Sequence, residues 1–341
     1  MNRLDTITIA FPLCWITVKT EDYVHYFTPS TYTHKKTGEV VEKWRLDASE
    51  VRKVLGLASL EIEDGLKVTL RFSAKSLGAD YCNGITANNI ETAIRSALPT
   101  WIECQDVSRV VAESEVHLVD VAVNVPIIGT TVETVLSQLA TVPQNPRYKR
   151  DTLGRGRVET VEFKTRIKSD PLHPKIKVYN KAKEMSRPSQ RAYSEILNAS
   201  SFANVLRLEA SYMHHSDIRS AFGIAKGKKG IMLEDVLHSR KPVVMNAFDH
   251  ILPQSETLSV MKTEQKLADQ KNRVFYADLF ERSNWEWRIA EHQLRAYYAK
   301  GTNPHRQIRE GRRWYDLLVQ ERGLTNTPHI EQLRAYLRSL D

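Results

Sequence analysis

The stretch KIKVYNKAKEM, residues 175–185, sets four lysines and one tyrosine at every second position from Lys175 to Lys183. Extended as a strand, it turns Ile176 and Val178 to one side and Lys175, Lys177 and Tyr179 to the other, with Lys181 continuing the polar row. A tyrosine among ammonium groups can attack phosphorus and leave a covalent phosphotyrosine, while the lysines neutralise charge on the phosphoryl oxygens. Alternation alone also allows the commoner role of a strand tyrosine, a half-exposed packing aromatic.

Three further stretches carry acids in the same kind of pattern. VHLVDVAVNV places Asp120 inside an otherwise apolar strand, on the face of Leu118, Ala122 and Asn124. A carboxylate buried there needs a cation, a hydrogen-bond network or a metal. NVLRLEASYM turns Leu206, Leu208 and Ala210 inward and Arg207, Glu209 and Ser211 the other way, and Arg207 with Glu209 can also be a plain same-face ion pair. VETVEFKTRIK sets Glu162, Lys164, Arg166 and Lys168 on one face. If these faces belong to one sheet, Asp120, Glu209 and Glu162 are candidate ligands for Mg²⁺ or Mn²⁺, which would polarise a scissile phosphate beside Tyr179.

The charge distribution points to a polyanion. The chain carries +8, and from Arg147 to Lys183 twelve Lys/Arg stand against four Asp/Glu, a surplus equal to the whole net charge. The candidate phosphate contacts are Arg147, Lys149, Arg150, Arg155, Arg157, Lys164, Arg166, Lys168, Lys175, Lys177 and Arg207. Such a block suits DNA, single strands included.

No apolar run reaches the ~18 residues that span a bilayer. The opening ITIAFPLCWITV alternates as a strand and is read as structure, not as a signal peptide. Cys14, Cys82 and Cys104 are scattered and odd in number, which argues against a disulfide framework and for a reducing cytoplasm.

Positioning elements follow from periodicity. Residues 5–18, 66–73, 116–125, 158–168, 175–180 and 204–213 read as strands. DASEVRKVLGLA is a short helical pattern in a charged, turn-rich stretch, and ITANNIETAIRSALPTWIE an amphipathic helix stopping before Pro99. Thr130 to Glu133 has capping-box spacing for a helix through Ala140. TVPQNPRYKRDTLGRGR reads as a basic loop. From about Ile231 the pattern turns helical, most clearly from Thr263 to Lys300. The predicted architecture is α+β, a central antiparallel sheet with flanking helices, over residues 1–225. A helical unit over 226–341 follows, whose WEWRIAEHQLRAYYAK and HRQIREGRRWYDLL interleave aromatics with basic residues, as core helices or as DNA contacts.

Taken in order, RLDTITIAFPL, FSAKSLGADYCNGIT, LVDVAVNV, KVYNKAKEM and VLRLEASYMHHSDIRSAFG resemble the gene II/X family of phage and plasmid replication proteins, the rolling-circle initiators of filamentous phages. The resemblance covers roughly residues 1 to 225. It implies a sheet of the HUH-endonuclease type and site-specific, metal-dependent nicking and joining at an origin, with host helicase and polymerase as partners. It places Tyr179 at the nucleophile, Lys183 or Lys181 at the accompanying lysine, and Asp120 and Glu209 among the metal ligands. Two features depart from it: Leu118 stands where the family often has an arginine two residues before the acid, and the superfamily's His-hydrophobic-His pair is missing. His117 falls by parity on the face opposite Asp120, and of the adjacent His214 and His215 at most one is read as functional. Related initiators carry a tyrosine where this chain has Glu162-Phe163, which leaves Tyr179 as nucleophile and Tyr193 as its rival. The alternative function is a non-catalytic DNA-binding protein, a repressor or single-strand binder, using the same basic sheet. A metal-free tyrosine recombinase is disfavoured.

Overall fold

The computed structural model describes all residues except 1, 20–22, 34–37, 143, 146, 155–156, 166–173, 188–193, 198, 253–267, 284, 286, 299–303, 322–327 and 341. Arg155, Arg166, Lys168 and Tyr193 therefore lie outside the described residues.

Val, Ile and Leu at alternate positions build a ten-stranded antiparallel sheet in the order β3-β4-β5-β6-β1-β8-β12-β11-β10-β9. Its strands are β1 (Leu4–Pro12), β3 (Phe27–Thr33), β4 (Val40–Leu46), β5 (Leu57–Glu63), β6 (Lys67–Ser73), β8 (Glu115–Pro126), β9 (Tyr148–Leu153), β10 (Thr160–Thr165), β11 (Lys175–Asn180) and β12 (Val205–Tyr212). A separate two-stranded ribbon joins β2 (Ile16–Val18) to β7 (Ile102–Cys104). The N-terminal strand β1 is central, between β6 and β8.

Across its central strands one face of the sheet is apolar. Val119 and Val121 of β8, Leu206 and Leu208 of β12, Val178 of β11 and Val161 of β10 are all buried. The helices Val132–Leu139 and Val243–Ile251 contribute Val135, Leu136, Leu139, Val244, Phe248 and Ile251 to the same core. Each such side chain withdrawn from water contributes about 1.5–3 kcal/mol. The core also crosses residue 225. Ile231, Leu233 and Val236 join it, as do Ile330, Leu333 and Leu337 of the last helix, Pro328–Ser339. A second cluster is built by the helices Ala268–Arg282, Trp287–Tyr297 and Pro304–Glu321 around Tyr276, Phe280, Leu294 and Tyr315.

Some elements differ from the sequence reading. The turn-rich stretch after residue 18 holds strands β3, β4 and β5 beside its short helix, Ala48–Val51, and the basic loop contains β9. The cap of the helix Val132–Leu139 is Thr131, whose side chain accepts from the Thr134 amide at 3.2 Å. The Glu133 carboxylate takes Asn180 Nδ2 at 3.2 Å and Lys183 Nζ at 3.1 Å.

Candidate active site

Register brings the separate polar faces onto one surface. Asp120 lies opposite Ser211, Asn124 opposite Arg207, Arg207 opposite Tyr179, and Tyr179 opposite Thr160. Glu209 lies opposite Lys177, and Lys177 opposite Glu162. The order β8-β12-β11-β10 therefore carries Asp120, Glu209, Lys177 and Glu162 on the side away from the helix-covered core.

Tyr179 is 4% exposed, and its hydroxyl donates to Glu209 Oε1. Burial, with the Glu209 carboxylate adding to it and Arg207 opposing, raises the phenol well above its ordinary pKa. Lys177 Nζ stands 4.5 Å from the ring centroid. Lys181, 1% exposed, places Nζ 3.4 Å from the Tyr179 hydroxyl, 2.7 Å from that of Tyr81 and 2.6 Å from Glu184 Oε2. Burial lowers its pKa, and the nearby Arg207 lowers it further. Of the two lysines drawn from the sequence, Lys181 adjoins Tyr179, whereas Lys183 turns to Glu133 and to Glu159 at 3.7 Å.

Arg207 is 2% exposed and is spent inside the site. Its guanidinium donates to Glu209 Oε1 at 2.9 Å, to Asn124 Oδ1 at 2.9 Å and to Asp5 Oδ1. The expectation that Arg207 contacts DNA is corrected: it is a buried brace that fixes two acids. Breaking such a brace leaves carboxylates unpaired at a cost of about 3–5 kcal/mol. Arg150 is also corrected. Its guanidinium donates to Gln144 Oε1 at 2.8 Å and to the carbonyls of Ala140 and Val142, which ties β9 to the end of the helix Val132–Leu139.

The remaining basic candidates divide by exposure. Arg147, Lys149, Arg157 and Lys175 are exposed, while Lys164 and Lys177 are half-buried. Asp151 holds Lys149 at 3.0 Å and Lys164 at 2.7 Å, and Glu162 holds Lys175. The acids of the block thus neutralise part of its surplus locally.

Asp120 is half-buried, and burial pushes its carboxyl up to about 6; Asp5 and Glu209 add to this and the Ser211 hydrogen bond opposes it. Among the described residues no group of three or more His, Cys, Asp or Glu side chains could hold a metal ion. A centre made of Asp120, Glu209 and Glu162 does not fit this geometry. Glu209 is taken up by Tyr179 and Arg207, and Lys177 stands between it and Glu162, whose own carboxylate faces Lys175 and, at 3.6 Å, Lys164.

Sequence reasoning did not single out Asp5, Tyr81, Asn124 or Glu184 as site residues. Asp5 sits where the β1–β8 register shifts, between Leu4 and Thr6, so simple alternation cannot place it. Tyr81 belongs to the segment Ala74–Asn83, which folds as 3₁₀ turns over the polar face, with Phe202 edge-on to its ring. A second bulge, between Thr8 and Ile9, falls at His117, whose ring centroid is 5.3 Å from that of His215.

No family model matches the chain, and no curated protein does, so the gene II/X resemblance rests on the quoted motifs alone. Among solved structures, the chain is similar to a rolling circle replication initiator protein from Geobacillus stearothermophilus. The identity is 14%, with 62% of this chain and 74% of that chain covered, at a TM-score of 0.30. No helix among the described residues is long and apolar enough to cross a membrane, and all three cysteines are free.

Proposed function

We propose that the chain nicks and rejoins one strand of DNA through a phosphotyrosine at Tyr179, as a rolling-circle replication initiator acting at an origin. One observation carries the reading: the Tyr179 hydroxyl is already hydrogen-bonded to a carboxylate, Glu209, that Arg207 holds in place, with Lys181 3.4 Å away.

In this reading Tyr179 Oη forms the bond to phosphorus as its proton passes to Glu209 Oε1. The bond from phosphorus to the 3′ oxygen breaks, and that oxygen takes a proton from solvent water. Lys181 and Lys177 offset the charge developing on the phosphoryl oxygens. Rejoining runs the same steps backwards, with the 3′ hydroxyl as attacking group and Glu209 returning the proton. At 4% exposure the phenol must be uncovered before a phosphate can reach it. Mg²⁺ or Mn²⁺, when bound, would polarise the scissile phosphate. No step above depends on it. Host helicase, host polymerase and a bacterial cytoplasm belong to the same proposal.

The test is incubation with a library of single-stranded oligonucleotides and Mg²⁺, followed by denaturing electrophoresis and peptide mapping of any adduct. The native protein is expected to carry DNA on Tyr179, and Tyr179→Phe to carry none. An undiminished adduct in the variant sinks the assignment.

The second reading, a non-catalytic DNA-binding protein, is favoured by the burial and raised pKa of the same phenol. It predicts no adduct in either protein and salt-sensitive DNA binding in both.

A further inference from the structure

The helix Pro304–Glu321 has two chemically opposite sides. Gly311, Trp314, Tyr315 and Leu318 are buried against the aromatic cluster. The contact is close, since a Cβ on Gly311 would meet Leu294 Cδ1 at 2.6 Å. Arg312 belongs to this packing: its guanidinium lies 5.0 Å from the Trp287 ring and pairs with Asp316 at 3.1 Å.

Arg306, Arg309 and Arg313 follow the i, i+3, i+7 spacing that puts three residues on one stripe of a helix, here on the side away from the aromatics. All three are exposed, and none forms an ion pair among the described residues. Their span along the axis is roughly 10 Å at 1.5 Å per residue.

This helix lies beside the sheet. Arg288 of the neighbouring helix Trp287–Tyr297 donates to the Thr152 carbonyl of the edge strand β9, and Arg312 and Asp316 are near enough to Arg150 of β9 to act on its charge. Exposed Arg147 immediately precedes the same strand, and exposed Lys149 lies within it.

We propose that Arg306, Arg309 and Arg313 form a docking surface for the phosphates of double-stranded DNA. Guanidinium forks on a rigid helix match phosphate oxygens well. Grip on single strands depends on aromatic platforms for the bases, and on this helix the described aromatics are turned inward, so the stripe can read only a backbone. The inference rests on the DNA-binding reading that both functions above share, and it does not need Tyr179 to be a nucleophile.

The test compares the full-length native protein with the triple variant Arg306→Gln, Arg309→Gln, Arg313→Gln. A control, Lys226→Gln, Lys229→Gln, Arg240→Gln, removes the same charge elsewhere. Affinity for a duplex and for a single-stranded oligonucleotide is measured by fluorescence anisotropy across a salt series, with circular dichroism to confirm folding. The stripe variant is expected to lose roughly 10- to 100-fold in duplex affinity at 0.1 M salt, with the slope of log K against log salt shallower by ~2.7. Single-strand binding and the control should hardly change. An unchanged duplex slope in a folded stripe variant overturns the proposal while the DNA-binding reading stands. Equal losses on duplex and single strand, or in the control, overturn it too, because they mean bulk charge. Failure of the native protein to bind either DNA removes the shared reading instead.

Discussion

Asp120 is a half-buried acid with two other acids near enough to raise its pKa, and its titration can be read in stability. Its carboxyl is pushed from 3.8 up to about 6 by burial first, with Asp5 and Glu209 adding to it. The folded protein therefore holds this proton more tightly than the unfolded chain. The associated stability is fully present below pH about 3.8 and is lost as pH rises through about 6. Asp120→Asn removes that loss while keeping an acceptor for Ser211. Urea unfolding in EDTA should find the variant's gain over native small at pH 4 and larger at pH 8, by about 1–3 kcal/mol. A difference that does not change with pH would mean that Asp120 is not raised. Glu209 is placed differently: its carboxylate is held by Arg207 and accepts from Tyr179. Two acids drawn from the sequence as equivalent metal ligands thus occupy different environments on adjacent strands.

At the scale of elements, cleanly alternating strands were legible, whereas the edge strands β3 and β9 and the interior strands β4 and β5 were not. β1, β6, β8, β11 and β12 alternate because one side of each enters the core. β9 buries only Tyr148 through the sheet, and β3 only Phe27, so neither carries an alternation to read. Parity placed Tyr179, Lys177 and Glu209 on polar faces, and Asp120 on the face of Leu118, Ala122 and Asn124. That these faces are continuous follows from strand order, in which β12 separates β8 from β11, and pairing over such sequence distances leaves no local mark. Exposure was equally hidden: Arg207 and Lys181 look like surface cations by type and are buried ones in fact. The helix Val132–Leu139 tests the local reading. Capping-box spacing favours Thr130, but the amide of Thr134 is held by Thr131. Thr131→Ala should cost about 1 kcal/mol of stability, and Thr130→Ala only a few tenths. Chemical denaturation of the two variants decides this, and the reverse ranking would move the cap back to Thr130.

Over the whole molecule, the chain leaves its main core and returns to it. The helix Val243–Ile251 belongs to that core, the helices from Ala268 to Glu321 build the separate aromatic cluster, and Pro328–Ser339 comes back with Ile330, Leu333 and Leu337. Arg334 fastens the return, donating to Asp249 Oδ1 at 2.8 Å and to the Leu252 carbonyl. A change of pattern from strands to helices near residue 225 therefore marks composition, and core membership follows contacts instead. A cluster separate from the main core can open as its own cooperative unit when it is weakened. Phe280 is fully buried in the aromatic cluster, against Tyr276, Trp285, Trp287 and Tyr315. Phe280→Ala leaves a cavity there at a cost of about 3–5 kcal/mol. Hydrogen exchange is expected to lose protection across residues 268–321 while the amides of β1, β8 and β12 and of the last helix stay protected. Duplex affinity should fall with it, because Arg306, Arg309 and Arg313 form one stripe only while their helix is folded. Loss of protection in the central strands as well would mean that both clusters unfold as one unit, with the helical excursion part of the sheet's own stability.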